Sequence, residues 1–361
     1  MKKILFLVNS DIVVYNFRRE LVERLLQSGY EVWVSSPYGE RIEKLIAIGC
    51  RYLPAAISCH GQNPLEDFKL FMYYLKLIHK LKPDMVLTFT IKPTIYGSLA
   101  CRFLHCPCIS NITGLGTGIK KTYLLTWLIK QMYKIALAKN KCIFFQNDDN
   151  LDFFIKNKLL KTHYRRVPGS GVNLQHFRYE EYPETDGRLI YVGRIMRDKG
   201  IGELLSIIPE LVRKYPHFVL EIVGGLVDES YTEEIKMLET QGKVHYRGAQ
   251  LDVRPFLKRA NAIVLPSYHE GMANVLLEAA ATGRPVLASS RPGCRETFDE
   301  GVSGLGFAER DQGDLLRAVE RFLALPHERK CQMGKAAREK VEREFDRNII
   351  VDAYMEEITS Y

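Results

Sequence analysis

Short, nearly continuous apolar runs alternate along the chain with longer segments whose apolar positions recur at helical spacing. The runs at 4–8, 31–35, 85–89 and 142–146 predict strands buried on both faces, because a half-exposed strand would alternate apolar with polar residues. Between them, residues 17–28, 65–81, 95–104 and 123–138 carry amphipathic helical patterns. After the Pro/Gly-rich passage Val167-Pro168-Gly169-Ser170-Gly171 the pattern restarts. It predicts strands at 189–192, 219–223, 244–246, 262–265 and 285–288, with helices at 201–214, 231–241, 253–259 and 273–282. Such alternation implies parallel sheets covered by helices on both sides. Two series imply two doubly wound α/β domains facing across a cleft, residues 1–175 and 176–342, with the polar stretch 179–187 as an exposed connector. A two-substrate transferase with one substrate per domain is a natural use of that geometry.

Composition narrows the class. The 361 residues are 46% hydrophobic and 26% charged, enough for two cores, which excludes disordered and fibrous chains. The apolar run after Lys2-Lys3 stops at Asn9-Ser10-Asp11, too soon for a signal peptide, and reads as a first strand. No window offers the ~20 uncharged apolar residues of a membrane span, so any membrane contact is expected to be peripheral, from the cytoplasmic side. The eight cysteines are scattered and read as reduced thiols. Cys106-Pro107-Cys108, beside His105, lacks a second ligand pair at zinc-like spacing. Charge is distributed unevenly. Residues 1–175 hold 25 Lys/Arg against 12 Asp/Glu, whereas the remainder holds 26 against 31. No acid occurs between Asp84 and Asp148. The basic half points to an acidic partner: a membrane surface, a nucleic acid or a phosphorylated substrate.

Two motifs in the second half carry chemistry. Tyr191-Val192-Gly193-Arg194-Ile195-Met196-Arg197-Asp198-Lys199-Gly200 follows a predicted strand and opens a helix. Gly193 allows close backbone approach, Arg194 offers a planar fork suited to a diphosphate, and Lys199 precedes free helix amides that favour an anion. Ser267-Tyr268-His269-Glu270-Gly271-Met272-Ala273, running on to Glu278, has the same strand-to-helix context. Glu270 lies before the helix and Glu278 one turn inside it, so the two could reach different hydroxyls of one extended ligand. Glu278 sits on an otherwise apolar stripe, where a carboxylate needs a partner.

Gly193-Arg194 with Lys199-Gly200, then Glu270 with Glu278, then Gly283-Arg284-Pro285-Val286, resemble the donor domain of retaining glycosyltransferases of family 4, which have the GT-B fold. Tyr15-Asn16-Phe17-Arg18, Ile91-Lys92-Pro93-Thr94-Ile95-Tyr96-Gly97, Gly114-Leu115-Gly116-Thr117-Gly118 and Gly169-Ser170-Gly171-Val172-Asn173 are similar to a bacterial subgroup that builds surface polysaccharides, such as O-antigen or capsule, on polyprenyl-diphosphate carriers. The resemblance implies that Arg194 and Lys199 hold the donor diphosphate and stabilise its leaving charge. It implies that Glu270 contacts the donor sugar and Glu278 the ribose, and that amides of Gly271, Met272 and Ala273 sit by the distal phosphate. The base would rest near Tyr246-Arg247-Gly248, with Arg247 donor-binding. Ala273 stands where Pro or Ser is commoner. The first-domain His of many members has no counterpart near Gly114; His60 is another His expected near the cleft. The resemblance further implies a UDP-sugar donor, here N-acetylhexosamine, a retaining mechanism and no cofactor, and it places the last helix, 343–361, back on the first domain. The absence of any Asp-x-Asp agrees with a metal-independent site.

Arg18 and Lys92 follow the first and third predicted strands and are candidates, with Gly114, for the acceptor's diphosphate end. Segments 123–135 and 68–82 read as basic, aromatic-rich amphipathic helices suited to an anionic membrane. A nucleotide-sugar 2-epimerase of the same architecture is the alternative, though more acid–base side chains would be expected in its first domain. A nucleic-acid partner is disfavoured because the basic residues interleave with buried apolar runs and no RNA-binding motif is visible.

Overall fold

The computed structural model describes residues 1–55, 63–114, 123–185 and 187–360. His60, residues 115–118 of the Gly-rich loop, Lys120 and Lys121 lie outside them. The chain divides into two compact units, Met1–Ser170 with the C-terminal helix, and Gly171–Asp346.

In the first unit β1 (Lys3–Leu7), β2 (Glu31–Ser36), β3 (Arg51–Pro54), β4 (Met85–Phe89), β5 (Cys108–Ile112), β6 (Cys142–Phe145) and β7 (Tyr164–Arg166) form a sheet ordered β3-β2-β1-β4-β5-β6-β7. In the second, β8 (Arg188–Val192), β9 (Val219–Val223), β10 (Val244–Tyr246), β11 (Ala262–Leu265), β12 (Val286–Ser289) and β13 (Gly304–Phe307) are ordered β10-β9-β8-β11-β12-β13. Every pair is parallel. In both sheets the order reverses beside the first strand, so β1 and β4, and β8 and β11, flank the crevice where doubly wound sheets bind ligands. The helix Ile201–Lys214 illustrates how each crossover is held. Ile201, Leu204, Leu205, Ile208 and Leu211 are buried as one stripe against the second core.

The central strands coincide with the apolar runs, but four others had no such signal. β3 and β7 are exposed edge strands, where polar residues guard unpaired backbone. β13 is glycine-rich, and β5 carries polar residues inward. Ser110 of β5 shares a buried network with Thr88 (2.7 Å), Ser98 (2.9 Å) and Asn140 (2.6 Å), which replaces the apolar contacts such a strand normally makes.

The second unit begins at Gly171, where the expected domain began at 176; Val172 is already buried in the second core and its N–H donates to the Phe345 carbonyl (2.9 Å). The last helix starts at Arg347 rather than at 343. His327–Glu344 ends in the second unit, and a separate helix, Arg347–Thr359, belongs to the first. There Arg347 pairs with Glu20 (3.0 Å) and Tyr354 stacks on Phe144 at 4.2 Å between ring centroids. Nor is 179–187 a free connector, since Tyr182 donates to the Asn261 carbonyl (2.9 Å) and the carbonyls of Glu180 and Glu181 accept from Arg284.

Candidate functional site

The two motifs of the second unit leave β8 and β11, which are neighbours in the sheet. Strand order thus joins residues far apart in sequence. Lys199 Nζ lies 2.5 Å from Glu270 Oε1, and both side chains are largely buried, 18% and 15% exposed. Lys199 ends a single helical turn, Arg197–Lys199, and Gly200 then turns the chain into the helix Ile201–Lys214 with φ of +69°. A Cβ at Gly200 would stand 2.1 Å from the Pro266 carbonyl oxygen, so the loops after β8 and β11 touch through glycine. Asp198 strengthens this junction by accepting the Tyr268 amide at 3.0 Å. Gly200→Ala is therefore expected to cost about 2 kcal/mol or more from strain and overlap together, read as a lowered urea midpoint. An unchanged midpoint would show that the loops are not in register here.

Around the pair, Tyr191 and Tyr268 belong to the two motifs, whereas Glu203, Gly293 and Cys294 were not legible as motif residues. Tyr191, buried at the end of β8, donates to the Arg194 carbonyl at 2.9 Å. Burial and the charge of Glu270 raise its pKa, against the opposing pull of Arg194, so both motif residues act on one hydroxyl. The sequence signal of Tyr191 was its place at the head of the first motif, two residues before Gly193. Arg194 itself is exposed and forms no ion pair among the described residues. Cys294 is buried close enough to feel both Glu270 and Lys199; burial above all raises its thiol pKa. Gly293 supports Glu270 from beneath, since a Cβ there would stand 2.5 Å from the Glu270 carbonyl oxygen. Tyr268 donates to Glu203, and burial followed by that bond pushes its pKa up to about 12, keeping it a donor at neutral pH.

The other expected donor residues divide. Gly193 and Gly271 lie on the two motif loops, and Met272 is buried. Glu278 is half-buried within the helix Asn274–Ala281, as its spacing from Glu270 predicts. Ala273 departs from expectation: its amide already donates to the Gly293 carbonyl at 2.8 Å and is committed to the loop rather than to an anion. Arg247 also departs. Its guanidinium is held at 2.9 Å by Glu221, a fully buried carboxylate that Arg259 contacts too. Burial pushes the Glu221 carboxyl up, but hydrogen bonds from Arg259 and Arg247 outweigh it and hold it below the usual range. The backbone beside Arg247 does reach the strand ends, because the Gly224 amide donates to the Gly248 carbonyl (2.8 Å) and the Ile195 amide to Gly225 (2.9 Å).

In the first unit Arg18 is 3% exposed, with its guanidinium 5.0 Å from the centre of the Phe89 ring and 5.7 Å from that of Tyr354. It is packed beneath the C-terminal helix and is not presented as an anion site, contrary to the sequence reading. Lys92 is paired with Asp67 at 2.8 Å, and Asp67 also accepts from Tyr96 (3.0 Å). Gly114 closes the described part of its loop, with open space where a Cβ would stand. Thr90, between β4 and Lys92, holds a left-handed φ of 68°, unusual for a β-branched residue. Elsewhere in this unit Cys142, His163 and Glu357 converge within 4.8 Å, but His163 (3.1 Å) and Arg165 (3.3 Å) already engage Glu357 and tie the C-terminal helix to the sheet edge.

A family model described as "Glycosyl transferases group 1" matches residues 172–340, and one described as "Glycosyl transferase 4-like" matches 3–147. The N,N'-diacetylbacillosaminyl-diphospho-undecaprenol alpha-1,3-N-acetylgalactosaminyltransferase of Campylobacter jejuni is 26% identical over 97% of this chain and 96% of its own. The capsular polysaccharide biosynthesis glycosyltransferase CapM of Staphylococcus aureus is 27% identical over 79% of each. Among solved structures, Anabaena HepE in complex with UDP-glucose superposes with a TM-score of 0.81 at 16% identity over all of both chains, which shows the fold. With both halves matched and the site motifs joined at the second switch point, the chain belongs to the group 1 and 4-like glycosyl transferases and has the GT-B fold.

Proposed function

We propose that the protein transfers a sugar, N-acetylhexosamine, from a UDP-sugar to a polyprenyl-diphosphate-linked saccharide at the inner face of the plasma membrane, with retention at the anomeric carbon. The observation that carries this reading is the Lys199–Glu270 pair, set beside exposed Arg194 at the crevice of the second sheet. Arg194 and Lys199 neutralise the diphosphate as the bond from the anomeric carbon to phosphate oxygen breaks, the work a metal does elsewhere. Glu270 orients the sugar hydroxyls and Glu278 the ribose. The acceptor hydroxyl bonds to the anomeric carbon on the face the diphosphate leaves, and its proton passes to that diphosphate. The name of the Campylobacter relative supports the acceptor class and the sugar, and that of the Staphylococcus relative supports a place in surface polysaccharide synthesis.

Purified protein given labelled UDP-sugars and a lipid-diphosphate saccharide is expected to move label into lipid, most with UDP-N-acetylhexosamine. Conversion of the nucleotide sugar to its 2-epimer without acceptor, and no label in lipid, would replace this reading with that of an epimerase.

A further inference from the structure

We propose that the face formed by the helices Pro64–Leu81, Ser98–Leu104 and Tyr123–Ala136 docks on the surface of an anionic phospholipid bilayer. This rests on the reading of the acceptor as lipid-linked. Among the described residues the exposed phenylalanine and tryptophan side chains are Phe68 (62%), Phe103 (67%) and Trp127 (50%), and all three stand on these helices. Leu65, Met72 and Ile135 are exposed beside them. The helices adjoin: the Phe71 and Phe103 rings are 5.8 Å apart, and Arg102 donates to the Ile135 carbonyl at 2.6 Å. An exposed aromatic set on three touching helices is a patch, unlike single exposed apolar residues, which are ordinary.

Charge selects the occupant. Tyr123–Ala136 and Ser98–Leu104 contain no acid, and on the exposed side of Pro64–Leu81 stand Lys69, Lys76 and Lys80. None of these three lysines has a carboxylate partner among the described residues. Asp67 is taken up by Lys92, which leaves Glu66 as the exposed acid of that helix. Aromatic side chains with unpartnered lysines suit insertion at the headgroup level of an anionic leaflet. Position agrees with purpose. The Asp67–Lys92 pair ties the aromatic end of Pro64–Leu81 to the exit of β4, the switch point of the first sheet. A bilayer seated there would deliver a lipid-linked diphosphate to the ligand-binding end of that unit.

The test is sedimentation of the full-length protein with vesicles of phosphatidylglycerol and phosphatidylcholine, against phosphatidylcholine alone. Binding is expected to the anionic vesicles and to weaken with added salt. Phe68→Glu with Phe103→Glu should lower the bound fraction about tenfold, and Lys69→Gln with Lys76→Gln and Lys80→Gln should remove the preference for phosphatidylglycerol. Thermal unfolding should be unchanged, because these side chains are exposed. Transfer to a short-chain, water-soluble lipid-diphosphate acceptor should stay at the wild-type rate in every variant. Wild type that ignores anionic vesicles, variants that bind as wild type does, or a patch that only mediates self-association each overturns the docking surface. Vesicle binding without transfer to the soluble acceptor would overturn the functional reading and leave the docking surface standing.

Discussion

Exchange of Lys199 for methionine is expected to lower kcat for sugar transfer by about 10²–10³-fold, the usual cost of removing one fixed group that stabilises developing negative charge. Methionine keeps most of the length and apolar stem of lysine and removes the charge. The 2.5 Å contact with Glu270 gives the experiment a second reading. Without Lys199 the Glu270 carboxylate is left partly buried and uncompensated, costing about 1–2 kcal/mol of stability once solvent screening of its exposed fraction is allowed for. Lys199→Met combined with Glu270→Gln should recover most of that stability, because no lone charge remains, yet recover no activity. Urea unfolding alongside initial rates at saturating donor separates the two effects. If Lys199→Met kept its rate within about threefold of wild type, the ammonium would have no part in stabilising the leaving diphosphate. If activity returned with stability in the double variant, the pair would be a structural bridge only.

Replacement of Arg284 by methionine is expected to destabilise the second unit by about 3–5 kcal/mol, with a fall in its melting temperature on the order of 10 °C. Arg284 resembled part of the donor-site pattern, but its surroundings are those of a staple. It is completely buried and donates to five backbone carbonyls: Leu257 (3.0 Å), Glu180 (3.2 Å), Gly283 (3.2 Å), Glu181 (2.8 Å) and Lys258 (2.9 Å). These carbonyls come from the turn before β12, the end of the helix Arg254–Arg259 and the stretch Glu180–Glu181 early in the second unit. Burial pushes its pKa down to about 10, so it remains charged at neutral pH and each bond is charge-assisted. Lysine has neither the five donors nor the planar fork, so Arg284→Lys should lose nearly as much. Differential scanning calorimetry measures the change, and activity below the new transition should persist. Full stability with lost transfer would move Arg284 from the scaffold into the site.

The patterns that proved legible share one physical cause. Strands buried on both faces, such as β8, β9 and β11, must be apolar throughout, and the helices that cover them must carry an apolar stripe. Both requirements leave marks in local sequence. β5 left no such mark because its inward residues are satisfied by Thr88, Ser98 and Asn140 from other elements, and β3 and β7 because edge strands need no apolar face. The same limit governs charges. Lys92 follows β4, and Arg18 ends the helix Asp11–Phe17 that follows β1, yet Arg18 is packed against two rings and Lys92 is paired with Asp67. Arg247 and Ala273 lie on loops that leave β10 and β11, but the Arg247 guanidinium is held by Glu221 and the Ala273 amide by the Gly293 carbonyl.

By itself, then, the sequence determined two parallel α/β units, the strand-to-helix loops that carry Arg194, Lys199 and Glu270 with Glu278 in the helix that follows, and the uneven charge of the halves, because each is dictated by burial, turn chemistry or composition within a short window. Only the tertiary structure decided which loops meet. Lys199 faces Glu270 because β11 pairs with β8, although β9 and β10 intervene in the chain, and no local pattern encodes that order. A side chain's partner is set by folding, so no local pattern could show that Lys199 meets Glu270 or that Arg194 stays exposed beside them.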